Sequence, residues 1–173
     1  MAKYIFLPVV SAEMMRMAND MVQGHRKEGE ALSILHNPFS QGAMKGVARS
    51  VGVRCLSRVR EGDTVYIFCH GAAVPGSRRI GAARQVVHKG GNRWEEVEGT
   101  TKSYTQSELA RLVEAEGLPK IYVDLHLLTC GSGLTGGDNP MLQRSLADRF
   151  HDELLVRGYA RVQVTGYLGN ISI

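Results

Sequence analysis

Cysteine is scarce in this chain. Cys55, Cys69 and Cys130 are the only three in 173 residues, an odd number too small for a disulfide framework and without the spacing of a zinc site. A reducing compartment is the simpler inference, and no metal is expected. Long apolar runs are missing as well: nothing approaches the ~20 apolar residues that span a bilayer. The N-terminal run from Tyr4 to Val10 is broken by Pro8 and too short for a signal-peptide core, so it reads as a first strand. These absences predict a protein without a membrane span, either cytoplasmic or exported without a cleavable N-terminal signal. Dense runs of one charge are also lacking. The net charge is +4, with Lys and Arg spread along the sequence, so no specific nucleic-acid partner is expected. There is no internal repeat, low-complexity segment or interdomain linker. A 43% hydrophobic content in a chain of this length suits a single domain over residues 1–173.

What is present alternates between two periodicities. Ser11 can cap a helix with Met14, Met17, Ala18, Met21 and Val22 on one face and Gly24 placed to end it. Ala31 to Leu35 reads as a strand stopped by Asn37-Pro38. Met44, Ala48, Val51, Cys55 and Val59 recur at helical spacing, predicting a helix from about Gln41 to Arg60. The β-branched and aromatic run Thr64 to Cys69 suits a buried strand. Residues 85–89 and 93–97 flank Gly90-Gly91-Asn92 as in a hairpin.

Thr105 and Glu108 form a capping-box pattern ahead of Leu109, Leu112 and Val113, and Gly117 with Pro119 closes that helix. Ile121 to Thr129 is the most apolar strand candidate. Asn139 and Pro140 open a helix carrying Leu142, Leu146, Phe150 and Leu154, Gly158 ends it, and Ala160 to Gly166 makes a last strand. Strands alternating with helices predict an α/β fold: a three-layer sandwich with a mainly parallel sheet between helices and a small β-hairpin.

Sites in such sheets lie beyond the strand C-termini, and two glycine-followed residues fall there, His70 before Gly71 and Cys130 before Gly131. A thiol attacks only as the thiolate, so an adjacent imidazole matters. Neighbouring strands lie ~5 Å apart, which makes a cross-strand dyad available. His126 shares a face with Asp124 and Cys130. Four residues of strand nevertheless place it roughly 13 Å from Cys130, too far for a base that must sit within about 3 Å or one water of its proton. It reads instead as a hydrogen-bonded sheet histidine, with Asp124 as its partner or as part of a pocket wall. Cys69 points opposite to His70 and reads as a core thiol, and Cys55 fits the stripe of its helix.

The segments Val65-Tyr66-Ile67-Phe68-Cys69-His70-Gly71 and Leu125-His126-Leu127-Leu128-Thr129-Cys130-Gly131 resemble the caspase-like cysteine peptidases, clan CD. In that group an apolar strand ending His-Gly is followed by one ending in the nucleophilic Cys. Its members include caspases, legumains, gingipains, separases and the autoprocessing domains of bacterial toxins, which the chain resembles most. The match in motif covers these two segments, and the element order extends it loosely from Thr64 to Gly166.

The resemblance implies a caspase-like domain and a hydrolase of peptide or protein substrates. Cys130 would be the nucleophile and His70 the proton-transfer group, with the N–H groups of Gly71 and Cys130 as oxyanion donors. The caspase signature around the nucleophile is absent, and the aspartate-binding arginines of caspases have no counterpart. Arg78, Arg79 and Arg84 follow the His-Gly turn and are candidates for binding an acidic substrate or an anion, against the plainer reading of solvated loop residues. No cofactor is required by the sequence. An activating anion stays open, although the basic flap that binds inositol hexakisphosphate in the toxin domains has no counterpart before Ile173. Nothing indicates an oligomeric state.

Two alternatives stand beside this reading. Gly131-Ser132-Gly133-Leu134-Thr135-Gly136 spells GxGxxG between a strand and a helix, as in a nucleotide-binding α/β domain. Against it, the helix starts late and no acidic residue ends the next strand. A catalytically silent caspase-like module that binds a partner is the other, since fold does not establish activity. A phosphatase is disfavoured, because the loop after Cys130 lacks an arginine to grip phosphate.

Overall fold

A computed structural model describes residues 1–9, 12–36, 54–71, 79–80, 86–88, 94–96, 103–130, 132–135 and 144–168, with backbone alone at 12, 79, 86–88 and 94–96. Along the chain these form β1 (Lys3–Leu7), α1 (Ala12–Lys27), β2 (Leu32–His36), a 3-10 turn (Cys55–Arg58) and β3 (Thr64–Phe68). Four short strands follow: β4 (Arg79–Ile80), β5 (Val86–His88), β6 (Trp94–Glu96) and β7 (Tyr104–Thr105). Then come α2 (Gln106–Ala115), β8 (Val123–Leu128), α3 (Leu146–Val156) and β9 (Val162–Thr165).

Five strands build one parallel sheet in the order β2-β1-β3-β8-β9. The order reverses between β1 and β3. Because parallel crossovers are right-handed, α1 lies on one face and α2 and α3 on the other. The chain is therefore α/β, with helices flanking a mostly parallel sheet. Burying both faces demands near-continuous apolar strands. Ile5, Phe6, Leu7, Ile67, Leu125 and Leu127 are accordingly fully buried, with Leu109, Phe150 and Leu154 from the helices. Each such side chain contributes about 1.5–3 kcal/mol relative to exposure.

The hairpin forms as expected in backbone, Val86 opposite Glu96 and His88 opposite Trp94; its glycine turn lies outside the described residues. Strands β4 and β7 pair antiparallel, a two-residue ribbon too short to show in the sequence. The capping box at Thr105 and Glu108 is present with both reciprocal bonds.

Three boundaries differ from expectation. Helix α1 runs through Gly24 to Lys27, and the turn falls at Gly29, where φ is +82°. A glycine inside a helix costs only about 1 kcal/mol, less than the burial of Met14 and Ala18 on the same helix supplies. The helix expected to reach Arg60 is interrupted at Arg54, whose φ of 79° is left-handed, and only a 3-10 turn follows; residues 41–53 lie outside the described residues. Helix α3 starts at Leu146 behind an extended Ser145, not at Pro140. Ser145 and Asp148 form a full capping box, so the local hydrogen bonds place the start there. Ser11, Asn139, Pro140 and Leu142 are outside the described residues. No helix among the described residues is long and apolar enough to cross a membrane.

Candidate active site

Strands β3 and β8 pair in register with Phe68 opposite Leu128. Continuing one residue at a time brings Cys69 level with Thr129 and His70 level with Cys130 at the C-terminal rim. Backbone packing there confirms the convergence. A Cβ on Gly71 would sit 2.5 Å from the Cys130 carbonyl oxygen, 3.1 Å from Thr129 Cβ and 3.2 Å from the Cys130 nitrogen. Only glycine lets the His-Gly turn lie this close to the backbone of Cys130. Gly71 also forms an antiparallel bridge with Ile80, which brings β4 alongside the turn.

His70 is half-exposed, and its Nε2 is 3.4 Å from Glu13 Oε2. Glu13 stands in the first turn of α1, where a carboxylate also complements the helix dipole. Sequence reading missed it. A first-turn glutamate is ordinary in a helix, and its approach to His70 arises because β1, which feeds α1, pairs with β3.

The three thiols differ in environment. Cys69 is buried, and desolvation pushes its pKa up strongly. Cys55 is half-buried rather than fully in the core. Burial first, then the Glu116 carboxylate, pushes its thiol to about 12. Neither forms appreciable thiolate near neutrality. Cys130 is half-buried at the strand end.

The turn after Cys130 is held by the chain's own groups. The Ser132 hydroxyl donates to the Leu127 carbonyl at 2.8 Å and accepts from the Tyr167 N–H at 2.9 Å. Gly133 N–H donates to the Tyr167 carbonyl at 2.9 Å, and Ala147 N–H, at the start of α3, donates to the Ser132 carbonyl at 3.0 Å. A Cβ on Gly166 would meet Gly133 Cα at 2.8 Å, so the two backbones are in direct contact.

His126 and Asp124 are paired, Nε2 to Oδ2 at 2.9 Å, and His126 Nδ1 is 3.1 Å from the Tyr167 hydroxyl. Both ring nitrogens are thus engaged, as a satisfied sheet histidine requires, although the residue is half-buried. Arg79 opens β4 next to Ile80, which bridges Gly71; its side chain, together with Arg78, Arg84 and Gly131, lies outside the described residues. Among the described residues no group of three or more His, Cys, Asp or Glu side chains is arranged to hold a metal ion. No known protein family and no curated protein matches the chain.

Proposed function

We propose that the chain is a caspase-like cysteine peptidase, an endopeptidase or a self-cleaving one, with Cys130 as nucleophile and His70 as its proton-transfer partner. The observation that carries this reading is the seating of the His70-Gly71 turn against the backbone of Cys130, at the rim where parallel sheets place their sites. Cys69 lies in the core and Cys55 beside the Glu116 carboxylate, whereas Cys130 is half-buried at the strand end.

In the proposed reaction the Cys130 thiol gives its proton to His70, the thiolate adds to the peptide carbonyl carbon and the C=O electron pair moves onto oxygen. N–H groups of Gly71 and Cys130 receive that oxyanion, and such donors are worth ~3 kcal/mol each because the charge develops only in the tetrahedral state. Collapse breaks the C–N bond while His70 delivers a proton to the leaving amine. His70 then takes a proton from water as it attacks the thioester carbon; collapse breaks the C–S bond and frees the acid, and His70 returns the proton to the Cys130 sulfur. Arg78, Arg79 and Arg84 remain the candidates for gripping an acidic side chain or an activating anion, Arg79 being beside the bridge to Gly71.

A nucleotide site at 131–136 has weaker support. Gly133 is packed against Gly166, and the Ala147 N–H at the mouth of α3 is already bonded to Ser132. A phosphate would need both the open backbone and the free helix N–H groups.

The test is labelling by a panel of thiol-directed peptidyl probes in wild type, Cys130→Ala and His70→Ala. Loss of labelling in both variants is expected, and the preferred probe reports the side chain recognised. Labelling that survives in both would sink the dyad; no labelling of a folded wild type would leave the silent binding module in its place.

A further inference from the structure

We propose that Asp124, His126 and Tyr167 form a hydrogen-bonded lock that positions the turn following Cys130, which makes His126 and Tyr167 positioning residues for the chemistry above. The inference rests on that reading of Cys130 for its functional meaning, but not for its geometry.

Asp124 and His126 are two apart on β8 and therefore share a face. Across the sheet, Asp124 stands opposite Gln163 and His126 opposite Thr165. Tyr167 lies two residues past Thr165, one pair further along, and its hydroxyl reaches back to His126 Nδ1 at 3.1 Å. The same residue is bonded through its backbone on both sides. Its N–H donates to Ser132 Oγ and its carbonyl accepts from Gly133 N–H, each at 2.9 Å. Ser132 Oγ closes the circuit by donating to the Leu127 carbonyl at 2.8 Å. Cys130 sits inside the loop that the Leu127 and Ser132 bond ties off. Any displacement of Tyr167 therefore moves both anchors of the turn carrying the nucleophile.

The chemistry of the three side chains makes the lock directional. An ionised carboxylate only accepts, so Asp124 requires the proton on His126 Nε2. In the tautomer that carries this single proton, Nδ1 is an acceptor for the Tyr167 O–H. Burial first, then the neighbouring Tyr66 and Asp124, pushes the Tyr167 phenol up, so it keeps the proton it donates. The ring of Tyr66, with its centroid 5.1 Å from that of His126, limits rotation of the imidazole. A base for Cys130 would need a free ring nitrogen within reach of the thiol. His126 has both nitrogens occupied and stands a strand segment away.

The decisive variant is Tyr167→Phe in the full chain, which keeps the ring and both backbone bonds and removes only the hydroxyl. His126→Gln serves as a second variant and Tyr122→Phe as a control. Two readouts need no peptidase activity: residue-resolved amide exchange at Gly133 and Tyr167, and the rate of Cys130 alkylation by iodoacetamide. In both variants exchange is expected to rise by about tenfold and the alkylation rate to change severalfold, with the control at wild-type values. On a probe-derived peptide substrate kcat is expected to fall while KM holds.

Wild-type exchange at both amides in Tyr167→Phe would overturn the lock. Faster exchange with an unaltered alkylation rate would overturn its positioning role and leave only a staple for β9. A wild type without peptidase activity would count against the peptidase reading and leave these two readouts to decide the lock.

Discussion

His70 Nε2 lies 3.4 Å from Glu13 Oε2, so the imidazole ending β3 faces a carboxylate from the first turn of α1. The side chains are 41% and 33% exposed, and solvent screens the pair. Half-exposed pairs of this kind are worth about 0.2–1 kcal/mol. A carboxylate on one ring nitrogen restricts the ring to one orientation. With the proposed dyad, Glu13→Gln is expected to reduce kcat by about two- to fivefold with KM unchanged. Steady-state kinetics on the best probe-derived substrate checks this, and a loss of several hundredfold would give Glu13 a larger part than a positioning carboxylate has.

The thiol environments predict selective alkylation. With Cys69 desolvated and Cys55 pushed to about 12, iodoacetamide at mildly alkaline pH should modify Cys130 alone in the folded chain. All three should react after unfolding in guanidinium. Peptide mapping by mass spectrometry reads the result, and modification of Cys69 ahead of Cys130 would contradict the packing described.

Two glycines give opposite expectations for one added methyl group. In Gly71→Ala the new Cβ would meet the Cys130 carbonyl oxygen at 2.5 Å, so backbone must shift. A cost of about 1–3 kcal/mol is expected, with lower reactivity at Cys130. Gly24→Ala, inside α1 with nothing among the described residues within 4 Å of the new Cβ, should instead stabilise by up to about 1 kcal/mol. Urea denaturation of the two variants measures the contrast.

Thr129 precedes Cys130, and its hydroxyl is buried without a hydrogen-bond partner among the described residues. Leaving such a group unpaired costs about 1–3 kcal/mol. Thr129→Val keeps the shape and removes the hydroxyl, so stability is expected to be unchanged or higher by about 1 kcal/mol. A clear loss of stability on denaturant titration would show that the hydroxyl has a partner.

His36 ends β2, and burial pushes its pKa below the ordinary 6.5. Its Nδ1 is buried without a partner among the described residues. The folded state resists a proton that the unfolded chain accepts at the ordinary value. Its contribution is therefore complete above about 6.5 and is lost as pH falls from there towards the folded pKa. His36→Gln should flatten the fall in urea midpoint between pH 7.5 and 5.5, an interval about one unit either side of the ordinary value. An unchanged slope would assign the acid sensitivity to other groups.

Much of the fold could be read locally because local chemistry decides it. Period-two runs such as Val123–Leu128 bury Val123, Leu125 and Leu127 on one face and leave Asp124 and His126 half-buried on the other, and the capping box at Thr105 and Glu108 states a helix start. Where two local signals competed, hydrogen bonding prevailed over shape. Pro140 is compatible with a helix start, but Ser145 and Asp148 satisfy the orphan N–H groups, and α3 begins behind them. Gly24 is a permissible stop, yet α1 continues through His25, Arg26 and Lys27, whose basic groups suit a helix C-terminus, and the left-handed turn comes at Gly29.

By itself the sequence determined the alternation of strands and helices, the placement of His70 and Cys130 just past two strands, and the burial of Cys69. Each follows from periodicity and strand rise within one segment. The tertiary structure alone decided that Glu13 faces His70, that Gly71 lies on the backbone of Cys130, and that Tyr167 ties the turn after Cys130 to His126. The physical reason is register. These contacts join residues 41 to 59 positions apart in the chain, or 35 for Tyr167 and Ser132, and depend on which strands pair and at what level. No local propensity carries that information.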